Sequence, residues 1–210
     1  VLSKREGEYP GNLHRAGRKR DIDAFYNPTQ RTGSAWKAVQ MITAEYIRTM
    51  AEYSVWQNNS VFGAADSLDD DERRQDRGAF FGSIHGTLNH LLWGDQIWMS
   101  RFAGTPEPKS PTIPGSVDQI ADWGELKRER RAFDGLIVNW AGEVEQNWLH
   151  GTLTWFSVAA NREISAPLGL LVTHMFNHQT HHRGQANAML TAAGAKPDDT
   201  DLMLLALRNK

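Results

Sequence analysis

The stretch 167-PLGLLVTHMFNHQTHHRGQANAMLTAAG-194 decides how the chain is read. A proline at its start suits the first turn of a helix, and a glycine at its end suits the residue that terminates one. Between them Leu171, Met175, His178, His182, Gln185 and Met189 recur at spacings of four, three, four, three and four. That is a heptad-like seam, so all six face the interior of a helical assembly. The seam is apolar at both ends and carries His, His and Gln in its middle.

Two imidazoles side by side in an interior are costly unless their nitrogens find partners, and a shared metal ion supplies one. Residues i and i+4 stand close enough on a helix for both rings to reach one ion. The two other histidines of the stretch differ in phase. His181 lies about 60° from His178 and about 100° from His182, which predicts a flanking or surface position. His174 is one turn before His178 and about 40° off it, a candidate to support the ligands from behind.

Working outward, three more long helical patterns precede this one, separated by breakers. The first runs over about 36–64, with Ile42, Tyr46, Met50, Tyr53 and Trp56 near helical spacing, and ends before 66-DSLDDDERR-74. The second covers about 78–102 and is closed by 104-GTPEPKSPTIPG-115, whose four prolines exclude a helix. The third, about 117–146, has Ser116 or Asp118 as expected N-caps and many charges on its expected outer face. Leu153, Trp155 and Val158, a turn at Asn161-Arg162 and then Ile164 predict a short hairpin before the last long helix. Residues 198–208 predict a small C-terminal helix. The fold class expected is all-α, a four-helix bundle with one crossover loop, and the core of such a bundle is a usual place for a metal.

Two ligands rarely make a tight site, so the second helix is searched for a third. It offers His85 and His90, about 140° apart, which cannot both point at one ion. Gly86 and Gly94 stand one turn before and after His90. They predict either an open groove beside the imidazole or a close approach of helices. Asp95 falls amid the apolar face of this helix, as a partner for a histidine, for an arginine such as Arg183, or for solvent.

The chain has 210 residues, enough for one substantial core and short for two domains. Residues 1–35 carry seven Lys/Arg against four Asp/Glu and no sustained apolar period, and read as an N-terminal extension to a domain over 36–210. Met41 is an expected natural start, testable by mass spectrometry of the native protein. A net charge of −2 gives no general electrostatic reason to bind nucleic acid, and the short run 15-RAGRKR-20 is more often a solvated surface. No cysteine is present, so disulfides, thiolate ligands and cysteine nucleophiles are excluded. No apolar run approaches a membrane span and the first twenty residues lack a signal-peptide core, so a cytoplasmic protein without a membrane role is expected.

The segments 178-HQTHHRGQ-185, 85-HGTLNHLLWGDQIWMSRF-102 and 53-YSVWQNN-59 together resemble the DinB/YfiT-like superfamily, and the resemblance spans essentially all of 41–208. It implies a DinB-type four-helix bundle, often dimeric, with a divalent metal held by three histidines. Carried over by motif position these are His90, His178 and His182. Neutral imidazoles suit zinc or nickel ahead of iron or manganese. A ferritin-like di-iron site is rejected, because the residue three before His178 is Met175 and not glutamate.

The function expected is a metal-dependent enzyme, a hydrolase or a thiol S-transferase acting on a small molecule. Relatives in the wider superfamily resemble thiol S-transferases and thiol-dependent isomerases that use low-molecular-weight thiols, and the resemblance implies the thiol version. Asn89, Asp95, His174 and Gln185 are candidates to orient substrate or support the ligands. The alternative is a non-catalytic, metal-stabilised bundle serving as a binding or stress-response module.

Overall fold

The computed structural model describes residues 41–157 and 161–208, all within one unit, Gln40–Lys210. The expected N-terminal extension with its RAGRKR run, the helix start at 36 and Val158 lie outside the described residues.

The described chain is mostly helical. Its order is α1 (Ala44–Ala65), a short α2 (Asp70–Arg74), α3 (Ile84–Ala103), α4 (Trp123–Glu143), β1 (Thr152–Ser157), β2 (Arg162–Pro167), α5 (Leu168–Ala192) and a terminal α6 (Leu205–Arg208), with 3-10 turns at Pro114–Asp118, Gln146–His150 and Leu202–Leu204. Local chemistry sets most of these boundaries. Thr43 caps α1 by accepting the Tyr46 amide, and Ser83 caps α3 by accepting the Gly86 amide. Gly82, at φ 72°, turns the chain just before that cap, so α3 starts six residues later than the apolar pattern from Gly78 implies.

Two sequence expectations need correction. Neither Ser116 nor Asp118 caps α4; both sit in the 3-10 turn, and the cap is Asp122, whose side chain accepts the Glu125 amide. The reason is tertiary, because the buried Asn89 of α3 takes the Ile120 amide on its Oδ1 and donates to the Ile120 carbonyl, which holds the chain non-helical there. The acidic run after α1 is likewise no plain breaker. It contains α2, started by a capping box in which Asp69 and Glu72 each accept the other's amide.

The hairpin forms where expected, with Trp155 opposite Ile164 and Thr154 opposite Ser165. α5 begins directly after Pro167, and Gly194, at φ 83°, follows its end.

The interior is divided. One apolar cluster joins Val61, Leu68, Ile84, Leu88, Leu91, Leu126 and Leu190; a second joins Ile47, Met50, Met99, Ile137, Val172, Met175 and Phe176. The long helices α1 and α5 run from the second cluster to the first, and α3 and α4 run the other way. The proline-rich crossover between α3 and α4 therefore travels back along the molecule. Between the two clusters each long helix contributes buried polar side chains: Ser54 and Asn58 from α1, Asp95 from α3, Arg130 and Asp134 from α4, Gln179, His182 and Arg183 from α5. Among the described residues no helix is long and apolar enough to cross a membrane.

Candidate metal centre

The heptad-like seam of α5 faces inward, as its spacing predicts, and its histidines meet α3. Met175 is fully buried, Leu171, His182 and Met189 nearly so, and His178 and Gln185 half-buried. His90 of α3 is also buried and meets the pair. Its Nε2 lies 3.2 Å from Nε2 of His178, which lies 3.1 Å from Nε2 of His182. The three offer one nitrogen each within 4.8 Å of one another, a set that could hold a metal ion, and no other such group of three occurs among the described residues.

The far nitrogens decide the tautomers. Ser116 donates its hydroxyl hydrogen to the Ile113 carbonyl at 2.6 Å, so toward His90 Nδ1, 2.8 Å away, it can only accept. His182 Nδ1 lies 2.7 Å from Gln185 Oε1, again an acceptor. Both rings therefore carry hydrogen on Nδ1 and turn an Nε2 lone pair toward His178. A neutral His178 with hydrogen on Nε2 satisfies one of those lone pairs and leaves the other. A cation between the three satisfies all. Nitrogens bound at about 2.05 Å around a tetrahedral ion stand roughly 3.3 Å apart, close to the two spacings observed.

Burial keeps these rings neutral, the state in which imidazole binds metal. It pushes His90 and His178 down to about 3, with the neighbouring histidines adding to the effect, and it lowers His182 against an opposing pull from Gln185. Because each folded-state pKa lies below the ordinary value, the unfolded chain takes up protons first as pH falls. We expect the metal-free protein to keep a constant urea midpoint from pH 8 to 7. The midpoint should then decline from about pH 6.5 toward 4.5, and a flat midpoint across that lower window would contradict the neutral cluster.

The glycines flanking His90 do not leave open space. A Cβ on Gly94 would stand 2.5 Å from Cε1 and 3.0 Å from Nδ1 of His178, so the missing side chain seats that ring. A Cβ on Gly86 would stand 2.7 Å from the Phe81 carbonyl oxygen. Close approach, not a groove, is their purpose. Alanine at position 94 should push His178 off the other two rings and weaken metal binding more than tenfold in a chelator competition. Helix propensity favours alanine by about 1 kcal/mol, so the metal-free melting temperature should move little.

The remaining candidates have different surroundings. Gln185 holds His182, as expected of a residue one turn on. Asn89 does not reach the histidines, since its amide is spent on Ile120 and the His85 carbonyl. His174 is exposed, edge-on to Trp98 with ring centres 5.1 Å apart and 6.0 Å from His178. His181 is exposed against His182, and His85 Nε2 donates to the Ile120 carbonyl. Asp95 is fully buried and pairs with Arg130 at 2.7 Å, not with Arg183. Arg183 instead lies over the Tyr53 ring and 3.5 Å from Asn58 Oδ1.

Sequence reasoning missed Ser116 as the support of His90. It also missed Phe81, whose ring stacks on His90 at 3.8 Å, and Trp93, whose ring centre lies 5.4 Å from that of His90. The crossover that carries Ser116 gives no local signal of its role.

A family model described as "DinB family" matches residues 41–208. The chain belongs to the DinB family. It is similar to Protein DinB of Bacillus subtilis strain 168, 23% identical over 167 residues that cover 80% of this chain and 97% of the relative. It is also similar to a DinB-like protein from Bacillus cereus ATCC 10987 in a crystal structure, with a TM-score of 0.45 and 18% identity over 69% of this chain and 90% of that one. Within this DinB-family chain the matched span contains every residue of the histidine cluster and its supports.

Proposed function

We propose that this DinB-family chain is a metal-dependent enzyme, built as a DinB-type four-helix bundle, in which His90, His178 and His182 hold one divalent ion. The convergence of three imidazole nitrogens, two of them presenting lone pairs fixed by Ser116 and Gln185, carries the reading. Zinc or nickel suits an all-imidazole set, with iron or manganese behind. Three ligands leave positions for water or substrate, the pattern of catalytic sites. Such an ion, when bound, lowers the pKa of a bound water or thiol, which supports hydrolysis or thiol S-transfer to a small electrophile.

The chain's own residues then have defined tasks. Ser116 and Gln185 hold the imidazoles in the metal-binding tautomer, while Phe81 and Trp93 shield His90 from water. His85 donates to the Ile120 carbonyl and His174 stands edge-on to Trp98 outside the group of three nitrogens, which supports an open shell over a structural metal. A small-molecule substrate, with a low-molecular-weight thiol as co-substrate, a homodimer and a cytoplasmic setting complete the proposal. A recess of about 860 Å³ between α1, α4 and residues 194–198 is lined by no histidine and has no part in it.

The test is to purify the protein, measure its metal content, and screen thiol conjugation and hydrolysis with and without chelator. About one ion per chain and activity lost on chelation are expected. Activity unchanged after complete metal removal defeats the catalytic reading. Stoichiometric metal that raises stability, with no turnover of any electrophile tried, favours the non-catalytic, metal-stabilised module instead.

A further inference from the structure

The polar layer between the two apolar clusters is too specifically connected to be left as packing. Gln179, the residue after His178, donates through Nε2 to Asp95 Oδ1 at 2.9 Å and accepts the Ser54 hydroxyl on Oε1 at 2.6 Å. Asp95 is the residue after Gly94, the seat of the His178 ring. At one level of the molecule, then, the adjacent pairs Gly94-Asp95 and His178-Gln179 meet. One residue of each pair makes the ring contact and the other makes the hydrogen bond.

The set continues round the other helices. Asp95 Oδ2 accepts Arg130 Nη1 at 2.7 Å, Arg130 Nη2 lies 2.8 Å from Asp134, and Asp134 accepts the Asn58 amide at 2.8 Å. Asn58 in turn faces Arg183, the residue after His182. Successive residues on a helix are about 100° apart. A rotation of α5 that carried either imidazole away from His90 would therefore break a buried hydrogen bond on the neighbouring face. An unsatisfied buried group is far costlier than a bond is worth, so such a set fixes one helix phase.

We infer that Asp95 and Gln179 are positioning residues for the metal ligands: their buried hydrogen bond, anchored by Ser54 and Arg130, sets the rotation of α5 against α3 that brings His178 and His182 onto His90. The inference rests on the proposed metal site for its biological meaning, but the ring geometry it explains exists without metal.

Cobalt(II) is a suitable probe, since its visible absorption reports coordination geometry as well as affinity. The deciding variant is Ser54→Ala/Asp95→Leu/Gln179→Met. It replaces Ser54, Asp95 and Gln179 by apolar side chains and leaves Arg130 paired with Asp134 alone, so stability should fall through the lost carboxylate partner while one counter-charge stays in place. We expect a cooperative melt below that of the wild type and, measured well below that melt, a cobalt Kd at least tenfold weaker, as for other outer-shell losses, and an altered visible band. Asp95→Asn is the conservative control. Gln179 can turn its amide to meet the new one and donate to Ser54, so affinity should stay within about threefold of wild type.

Wild-type affinity and band in the triple variant overturn the inference. Should the triple variant fail to fold, Gln179→Met alone, measured well below its melting temperature, is judged by the same criterion. Should the wild type itself bind no cobalt, the metal reading fails separately. The inference is then decided on metal-free protein by nuclear Overhauser effects between the His178 ring and those of His90 and His182. Ring-to-ring effects that persist in the Gln179→Met variant overturn it, and their disappearance there supports it.

Discussion

His178→Ala is expected to abolish tight metal binding. His178 Nε2 is the nitrogen that lies within 3.2 Å of both others, so its loss leaves two imidazoles and no closed face. Outer-shell losses alone weaken such sites 10- to 100-fold, and removal of a ligand should exceed about 100-fold. Calorimetry or chelator competition measures this directly. Linkage gives an independent reading. Metal at about 1,000 times Kd stabilises a protein by about 4 kcal/mol, so the wild-type melt should rise steeply with added zinc. The variant melt should hardly respond. In metal-free protein the substitution removes one half-buried imidazole from a crowded cluster, so the fold should survive. A variant that keeps wild-type affinity would mean that the histidines are not the ligands.

The second large effect concerns stability. Arg130 is buried and is the cation that faces Asp95 and Asp134, both also buried. Replacing it by methionine keeps much of the volume and leaves two carboxylates without their charge partner. Breaking a buried pair in this way costs about 3–5 kcal/mol, a large part of the roughly 5–15 kcal/mol that holds a domain folded. Burial already raises the pKa of Asp134 against the pull of Arg130. Without the arginine it rises further. A carboxyl whose folded-state pKa is raised binds protons more readily in the native state, so the variant's deficit against wild type should narrow as pH falls from 7 toward 5. Urea unfolding of both proteins at those two pH values tests the sign. A deficit below about 1 kcal/mol, or one that widens on acidification, would show that the pair is not held as the geometry implies.

The inward pair His178 and His182 is legible in the sequence because a heptad-like spacing projects onto one helix face whatever lies opposite. The third histidine is not legible from spacing. His90 sits almost ninety residues away, and only the resemblance to the DinB/YfiT-like superfamily joins it to the others. The caps show where local reasoning stops. Ser116 has the right chemistry for an N-cap, but the structure uses its hydroxyl to orient His90, and Asn89 of another element decides where α4 begins.

The charged helix α4 hides its most consequential residues. Arg130 and Asp134 form an i, i+4 pair like any surface pair, and their partners lie on α1 and α3, so nothing nearby in sequence marks them as buried. Gly94 stands out in the sequence, yet its meaning depends on which atoms approach it. The close fit of the His178 ring against the bare backbone decides between the two readings, for close approach and against an open groove.

The crossover loop between α3 and α4 has a consequence for transplanting the site. Its residues make Ser110 an acceptor for Trp93, Ser116 the acceptor for His90, and Ile120 the anchor of both His85 and Asn89. A designer who grafted only the two histidine-bearing helices onto a new scaffold would carry over all three histidines. The graft would still lack the acceptor that chooses which nitrogen of His90 is free. The smallest portable version of this histidine cluster is two helices and a clasp.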